Sequence, residues 1–157
     1  MNRSWLRWFA PDETIQSADL LDLDSLKQLG VRAVLFDLDN TLQRKRLATL
    51  QSSAKRFLQG LVGRGFQVGI ISNRRFLTSA QRAALSLEGF PARFHAGKPS
   101  RKAFDSMLLE LGVQPGDAVF VGDRRLTDVW GARRAGLRPI LIRKSLSPGL
   151  RVEPWEK

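Results

Sequence analysis

Four short clusters of side chains in this chain could do chemistry. The first is Asp37, Asp39 and Thr41, two carboxylates and a hydroxyl at alternate positions, directly after the apolar run 31–36. Ser72 and Asn73 follow a second apolar run, 66–71. Lys98 stands between Gly97 and Pro99, and Asp123 and Asp128 follow the apolar run 118–121. Carboxylates are rare in a core, so each acidic cluster marks a place where a buried segment reaches water. Singly, each cluster has an ordinary explanation as a turn, a solvated lysine or a first-turn acid facing a helix dipole. Together and in this order, they point to a ligand site. The chain has no cysteine and one histidine, His95. That excludes a disulfide scaffold, a thiol nucleophile and a cysteine-held zinc, and it disfavours histidine-based sites. Any metal must be held by oxygens, which favours Mg²⁺.

The elements that position these clusters are legible from periodicity. Residues 31–36 and 66–71 form buried strands, and 92–96, 118–121 and 138–142 add three more. Between them, Leu47, Leu50, Ala54, Phe57, Leu58, Leu61 and Val62 recur at helical spacing, ended by Gly63 and Gly65. A second helix is predicted over 78–87, closed by Gly89. A third has Ser100 as its N-cap, an apolar face of Ala103, Phe104, Met107, Leu108 and Leu111, and a stop at Gly112. A fourth runs over about 127–135 to Gly136. Residues 19–30 predict a short helix capped by Asp24 or Ser25 and stopped at Gly30. Strands alternating with helices give an α/β fold, a parallel sheet with helices on both faces joined by right-handed crossovers. In such a sheet all four clusters lie on the carboxyl edge, where ligands bind. The 157 residues make one domain. Its core covers about 31–143, an aromatic and basic segment covers 1–30, and 144–157 form an irregular tail.

The clusters read Asp-Leu-Asp-Asn-Thr, Ile-Ser-Asn, Gly-Lys-Pro and Gly-Asp-x-x-x-x-Asp. Over 31–142 they resemble the four ordered motifs of the haloacid dehalogenase-like (HAD) phosphatases. The whole chain is most similar to the YqeG family of small phosphatases, related to the phosphatidylglycerophosphate phosphatases. The resemblance implies a Rossmann-like three-layer sandwich with five parallel strands in the order 3-2-1-4-5. It also implies that Asp37 is a nucleophile and Asp39 a general acid/base. Thr41, Ser72, Asn73 and Lys98 would meet the phosphoryl group. Asp37, Asp123 and Asp128, with the main-chain carbonyl of Asp39, would serve Mg²⁺. The chemistry is consistent with elementary electrostatics. A dianionic phosphate repels a carboxylate, and opposite unit charges 4 Å apart attract by about 4 kcal/mol at an effective dielectric of 20. One Mg²⁺ and one lysine can therefore offset that repulsion. An aspartate needs no base to be ionised at neutral pH.

One helix and one strand fill the stretch from Thr41 to Ser72, and the same holds from Ser72 to Lys98. Neither stretch can hold an inserted cap domain. The site is expected to be open, which suits a substrate too large to enclose or a partner chain that supplies a lid.

The charge bears on that substrate. The chain carries 26 Lys and Arg against 15 Asp and Glu, a net charge of +11. Such an excess either keeps the protein in solution or attracts an anionic partner: nucleic acid, anionic lipid or a phosphorylated substrate. Basic residues follow every motif: Arg44, Lys45 and Arg46; Arg74 and Arg75; Arg101 and Lys102; Arg124 and Arg125. A ring of one sign would focus a field on the cleft. No apolar run is long enough to span a bilayer, and the amino-terminal stretch does not read as a secretory signal. That stretch interleaves Arg3 and Arg7 with Trp5, Leu6, Trp8 and Phe9. These rings either pack on the domain or meet a membrane interface. The expectation is a capless, Mg²⁺-dependent phosphomonoesterase, cytoplasmic and peripheral on the inner membrane face, acting on a phospholipid phosphate. The alternatives are a phosphatase of nucleic-acid ends or nucleotides, and a non-catalytic binding module on a phosphatase fold.

Overall fold

The computed structural model describes residues 4–43, 49–76, 78–84, 87 and 89–143. The strands are β1 (Glu13–Ile15), β2 (Ala33–Phe36), β3 (Gln67–Ile71), β4 (Ala92–Arg93), β5 (Ala118–Gly122) and β6 (Arg138–Ile142). The helices are α1 (Leu23–Gln28), α2 (Ser52–Gly63), α3 (Ser79–Ala84), α4 (Lys102–Leu111) and α5 (Trp130–Ala135). All neighbouring strands pair in parallel, in the order β1-β6-β5-β2-β3-β4. The five expected strands lie in their expected order. The sixth, β1, is a correction: it adds to the outer edge of β6, with Thr14 opposite Leu141. Hydrogen bonds from Asp12 N to Pro139 O and from Arg143 N to Ile15 O, 2.9 and 2.8 Å, extend that pairing.

Central strand β2 is buried at every position, as a parallel strand covered on both faces must be. Its side chains alternate between two cores. Val34 and Phe36, with Val68, Ile70, Val119 and Val121, face Leu26 of α1 and Ala54, Leu58 and Leu61 of α2. Ala33 and Leu35, with Ile71 and Phe120, face Phe104, Met107 and Leu108 of α4 and Ala132 and Ala135 of α5. This gives three layers. Among the described residues, no inserted cap interrupts the segment between β2 and β3 or that between β3 and β4.

Several boundaries differ from expectation: β4 covers only Ala92–Arg93 of the strand expected over 92–96, α3 is described over Ser79–Ala84 of the helix expected over 78–87, and three helix starts shift. The cap of α1 is Asp22, whose carboxylate accepts from Ser25 N and Ser25 Oγ at 3.1 and 2.7 Å, rather than Asp24 or Ser25. Arg101, not Ser100, precedes α4. The helix expected over 127–135 starts as a π-helical turn, Arg125–Val129, before α5. The tail from 144 lies outside the described residues.

Gly69 keeps β3 close to α4. A Cβ there would sit 2.6 Å from Met107 Sδ and 3.1 Å from Leu35 Cδ2. Gly69→Ala should therefore cost about 1–3 kcal/mol of stability through overpacking, and the double variant with Met107→Ala should lose part of that penalty. Urea denaturation of both variants measures it; an unaltered midpoint in Gly69→Ala would contradict this packing.

Candidate active site

Because β2, β3 and β5 are parallel and adjacent, their last residues put Asp37, Ser72 and Asp123 side by side at one edge. Asp37 N still donates to Val121 O at 2.9 Å, so this aspartate is stitched to β5 just before the chain turns away. The turn closes tightly. Leu38 O accepts from Leu42 N at 3.0 Å, and Asn40 adopts a φ of +62°, a conformation that asparagine tolerates better than most residues. Ser72 is fixed by its own N–H on Arg93 O, 2.8 Å, and by Ala96 N on its carbonyl, 3.0 Å.

Lys98 reaches the centre. Its buried ammonium donates to Asp37 Oδ1 at 2.8 Å and to Asp128 Oδ1 at 2.7 Å. The other oxygen of Asp128 accepts the main-chain N–H groups of Asp123 and Arg124, both at 3.1 Å. Asp128 is thus held on both oxygens and is only 2% exposed. The π-helical turn makes this possible, because Arg124 O accepts from both Asp128 N and Val129 N and curls the turn back under β5. Gly122 leaves the room: a Cβ there would lie 2.5 Å from Asp128.

Ligand atoms of Asp37, Asp123 and Asp128 lie within 4.8 Å of one another. Lys98 bridges two of these three carboxylates, and with all three ionised the cluster and its ammonium carry two net negative charges. The effect on Asp37 is plain. Burial pushes its carboxyl up to about 7, Asp128 and Asp123 add to the rise, and Lys98 only partly opposes it. Burial likewise raises Asp123, with Asp128 adding and Arg124 opposing. For Lys98, burial works against the ammonium, but Asp128 and Asp37 outweigh it and hold it above the ordinary lysine range. The lysine gains more from its neighbours than Asp37 does, because Lys98 meets two carboxylates while Asp37 meets one ammonium and two like charges. The donor set fits a hard divalent cation. Asp123 Oδ1 is buried without a hydrogen-bond partner among the described residues and offers a free ligand atom. Thr41 Oγ1, buried at the same loop, is likewise without a partner there.

Other expected site residues fall differently. Asn73, expected at the phosphoryl group, uses both ends of its amide on the main chain of Lys98: Lys98 N donates to Oδ1 at 2.8 Å and Nδ2 donates to Lys98 O at 3.1 Å. It positions the lysine. The carboxylate of Asp39 stands apart from the three-acid cluster and forms a two-point ion pair with Arg74, whose Nε lies 3.1 Å from Oδ2. Arg74 also donates its main-chain N–H to Ser72 Oγ at 3.0 Å. The expected basic ring is accordingly uneven. Arg74 faces Asp39, Arg101 pairs with Asp105, and Arg125 donates to Phe9 O at 3.1 Å. Arg75, Lys102 and Arg124 are exposed, and Arg44, Lys45 and Arg46 lie outside the described residues. The clasp by Asn73 and the Arg74–Asp39 pair were missed in the sequence, since both depend on loops meeting across the edge.

A buried carboxylate, a lysine and an acidic set that could hold a metal, all at the carboxyl edge of a parallel sheet, are the arrangement of a HAD-type phosphatase, and comparisons with known proteins agree. The family model described as HAD-hydrolase-like matches residues 95–150. The HAD phosphatase from Thermococcus onnurineus superposes with a TM-score of 0.58 at 21% identity, covering 77% of this chain and 90% of that one. A protein of Listeria monocytogenes serotype 4b gives 0.57 at 23% identity, with 79% and 88% covered. At these identities the two structures speak to the fold. The chain is 30% identical over 138 residues to the probable phosphatase YqeG of Bacillus subtilis, covering 87% of this chain and 78% of that protein. It therefore belongs to the YqeG-like phosphatases of the HAD superfamily. The phosphoserine phosphatase of Thermus thermophilus is also 30% identical, over 68% of this chain, although the match spans only 45% of that protein.

Gly122→Ala tests how the cluster is built. The added methyl must displace Asp128, unseat Lys98 and leave buried N–H groups unpaired. We expect a loss of about 1–3 kcal/mol in stability and at least about tenfold in hydrolysis of p-nitrophenyl phosphate, the latter equal to about 1.4 kcal/mol in the barrier. Denaturation and steady-state kinetics measure both; wild-type kinetics in this variant would show that Asp128 need not be where it is.

Proposed function

We propose that this phosphatase is a Mg²⁺-dependent phosphomonoesterase that works through an aspartyl phosphate at Asp37 and acts on a phospholipid phosphate, such as phosphatidylglycerophosphate. The observation that carries the reading is the charge imbalance at the sheet edge, with Asp37, Asp123 and Asp128 around a single Lys98 ammonium. Asp37, Asp123 and Asp128 would hold the ion, with the main-chain carbonyl of Asp39 beside them. When bound, Mg²⁺ supplies charge that neutralises a phosphoryl dianion.

The chain's own residues would do the rest. A carboxylate oxygen of Asp37 bonds to phosphorus in line as the bond from phosphorus to the leaving oxygen breaks. Asp39, protonated from solvent as it leaves Arg74, gives that oxygen its proton, then takes one from the water that attacks the acyl phosphate, releasing inorganic phosphate and restoring Asp37. Lys98, held by the Asn73 clasp, stabilises the charge that gathers on the phosphoryl oxygens. The Ser72 hydroxyl, already accepting from Arg74 N, has its own proton to donate to a phosphoryl oxygen. Asp39 must exchange its Arg74 contact for the leaving oxygen as substrate enters.

The substrate assignment draws support from the open edge and the positive charge. With no cap among the described residues, the site suits a headgroup presented at a surface. A net charge of +11 favours an anionic one.

Phosphate release from a panel of lipid, nucleotide, nucleic-acid-end and sugar phosphates is the direct test. The expected result is Mg²⁺-dependent release from phospholipid phosphates, abolished by EDTA. Asp37→Asn should abolish turnover and Asp39→Asn impair it severely, both in a folded protein. Asp123→Ala should weaken the response to metal more than Asp128→Ala, because only Asp123 has an uncommitted buried oxygen. Equal activity with and without metal, or full activity in Asp37→Asn, would overturn the mechanism; preference for a nucleotide or a nucleic-acid end would overturn the substrate.

A further inference from the structure

The amino-terminal segment divides into two parts. Phe9 packs on Trp130 of α5 with ring centroids 5.3 Å apart, and Trp5 meets Phe9 edge-on at 6.4 Å. Three bonds anchor the main chain there: Arg125 Nη1 donates to Phe9 O at 3.1 Å, and Arg133 donates to Ala10 O at 2.8 and 3.3 Å from its two nitrogens. Arg133 also pairs with Asp12. The short 3₁₀ helix Ser4–Phe9 is thus docked against the π-helical turn Arg125–Val129 and against α5. Yet Trp5, Leu6 and Trp8 are 61%, 41% and 50% exposed. The neighbouring turn adds Leu126, 64% exposed.

Phe9 is half-buried on α5 while two tryptophans and two leucines face water, and exposed apolar clusters of this kind mark interaction sites. The rim is basic. Arg7, Arg124 and Arg125 are exposed, and Arg134 lies over the Trp130 ring at 5.3 Å. Residues 4–11 contain no acid, and the two acids that flank the turn, Asp123 and Asp128, belong to the site. The next acids along the chain are Asp12, paired with Arg133, and Glu13, so tryptophan, leucine and arginine dominate the face, the chemistry of the headgroup layer of an anionic bilayer.

We infer that Trp5, Leu6, Trp8 and Leu126, rimmed by Arg7, Arg124 and Arg125, form a docking face that seats the protein on an anionic membrane surface beside its active site. The placement relative to the site follows from the chain. Leu126 lies between Asp123 and Asp128, so the docking face and the acid cluster are two sides of one turn. Seating the face brings the open carboxyl edge to the level of the headgroups. Tryptophans would enter the interface shallowly while arginines meet lipid phosphates, the two-signal pattern of reversible anchoring. The purpose of this face rests on the phospholipid reading above, but its existence can be tested without it.

The test is co-sedimentation of the full chain with vesicles of phosphatidylcholine alone or mixed with phosphatidylglycerol. Wild type is compared with Trp5→Ala/Trp8→Ala, Leu126→Gln and a control, Leu29→Gln. Leu29 is 59% exposed at the opposite, amino-terminal edge of β2. Hydrolysis of p-nitrophenyl phosphate and of a lipid phosphate, in vesicles and in detergent micelles, is measured alongside. We expect wild type and the control to bind the anionic vesicles, weakening with salt. The tryptophan pair and Leu126→Gln should lose binding at least about tenfold and lose lipid hydrolysis in vesicles, and the tryptophan pair should keep p-nitrophenyl phosphate hydrolysis. Equal vesicle binding by all variants overturns the inference. So does a lipid-free dimer that the tryptophan variant abolishes, which would make the face a contact between copies, or binding to RNA or DNA in place of vesicles. Vesicle binding that depends on the face, without lipid hydrolysis in either form, supports the docking face and rejects the phospholipid substrate. Lipid hydrolysis in micelles without vesicle binding does the reverse.

Discussion

One ammonium bridges two of three clustered carboxylates at the end of a buried sheet, and the rest of the site is arranged around that shortage. Taking an ion out of water costs several kcal/mol even after relaxation. At 2.8 Å the Lys98–Asp37 attraction is on the order of 6 kcal/mol at an effective dielectric of 20. A second contact to Asp128, at 2.7 Å, secures the lysine. It does not secure the acids, which must share it, and Asp37 responds by rising to about 7, chiefly because it is buried. A divalent cation held by these acids would balance the two net negative charges, and a phosphoryl group would then no longer meet net repulsion.

Around that centre the protein invests in position. Asn73 clasps the main chain of Lys98, two N–H groups and the lysine fix Asp128, and Gly122 vacates the space that Asp128 occupies. These groups come from the loops after β3, β4 and β5, so the geometry exists only when the parallel sheet is in register. The strands supply that register with fully buried β-branched and aromatic side chains packed between two helical layers. The scaffold is rigid where the acids leave it. The loops beyond carry contacts such as that of Arg74 with Asp39, which the proposed mechanism would require to change partners during a turnover.

Much of this was legible in the sequence, for physical reasons. Buried parallel strands read as apolar runs, and the polar residue that ends each run is by necessity at the carboxyl edge, so Asp37, Ser72 and Asp123 could be placed together without coordinates. Strand β1 escaped notice because Glu13-Thr14-Ile15 is short and half polar; only its pairing with β6 makes it a strand. The role of Asn73 was hidden for another reason. A side-chain amide can serve a phosphate or a main chain equally well, and the choice depends on where Lys98 arrives, 25 residues later. The aromatic segment was ambiguous between packing and exposure. Its residues in fact divide, with Phe9 packed against Trp130 and the two tryptophans outside.

The central proposal is that the Asp37 carboxylate is the nucleophile that accepts the phosphoryl group in a metal-assisted reaction. Acid-quenched protein, taken during steady-state turnover of a phosphomonoester with Mg²⁺ and digested for mass spectrometry, tests it most directly. The account predicts a fraction of the Asp37 peptide one phosphoryl group heavier, labile to hydroxylamine, and absent when EDTA replaces Mg²⁺. Sustained turnover with no phosphoryl group on that peptide, or with the label on another residue, would contradict it.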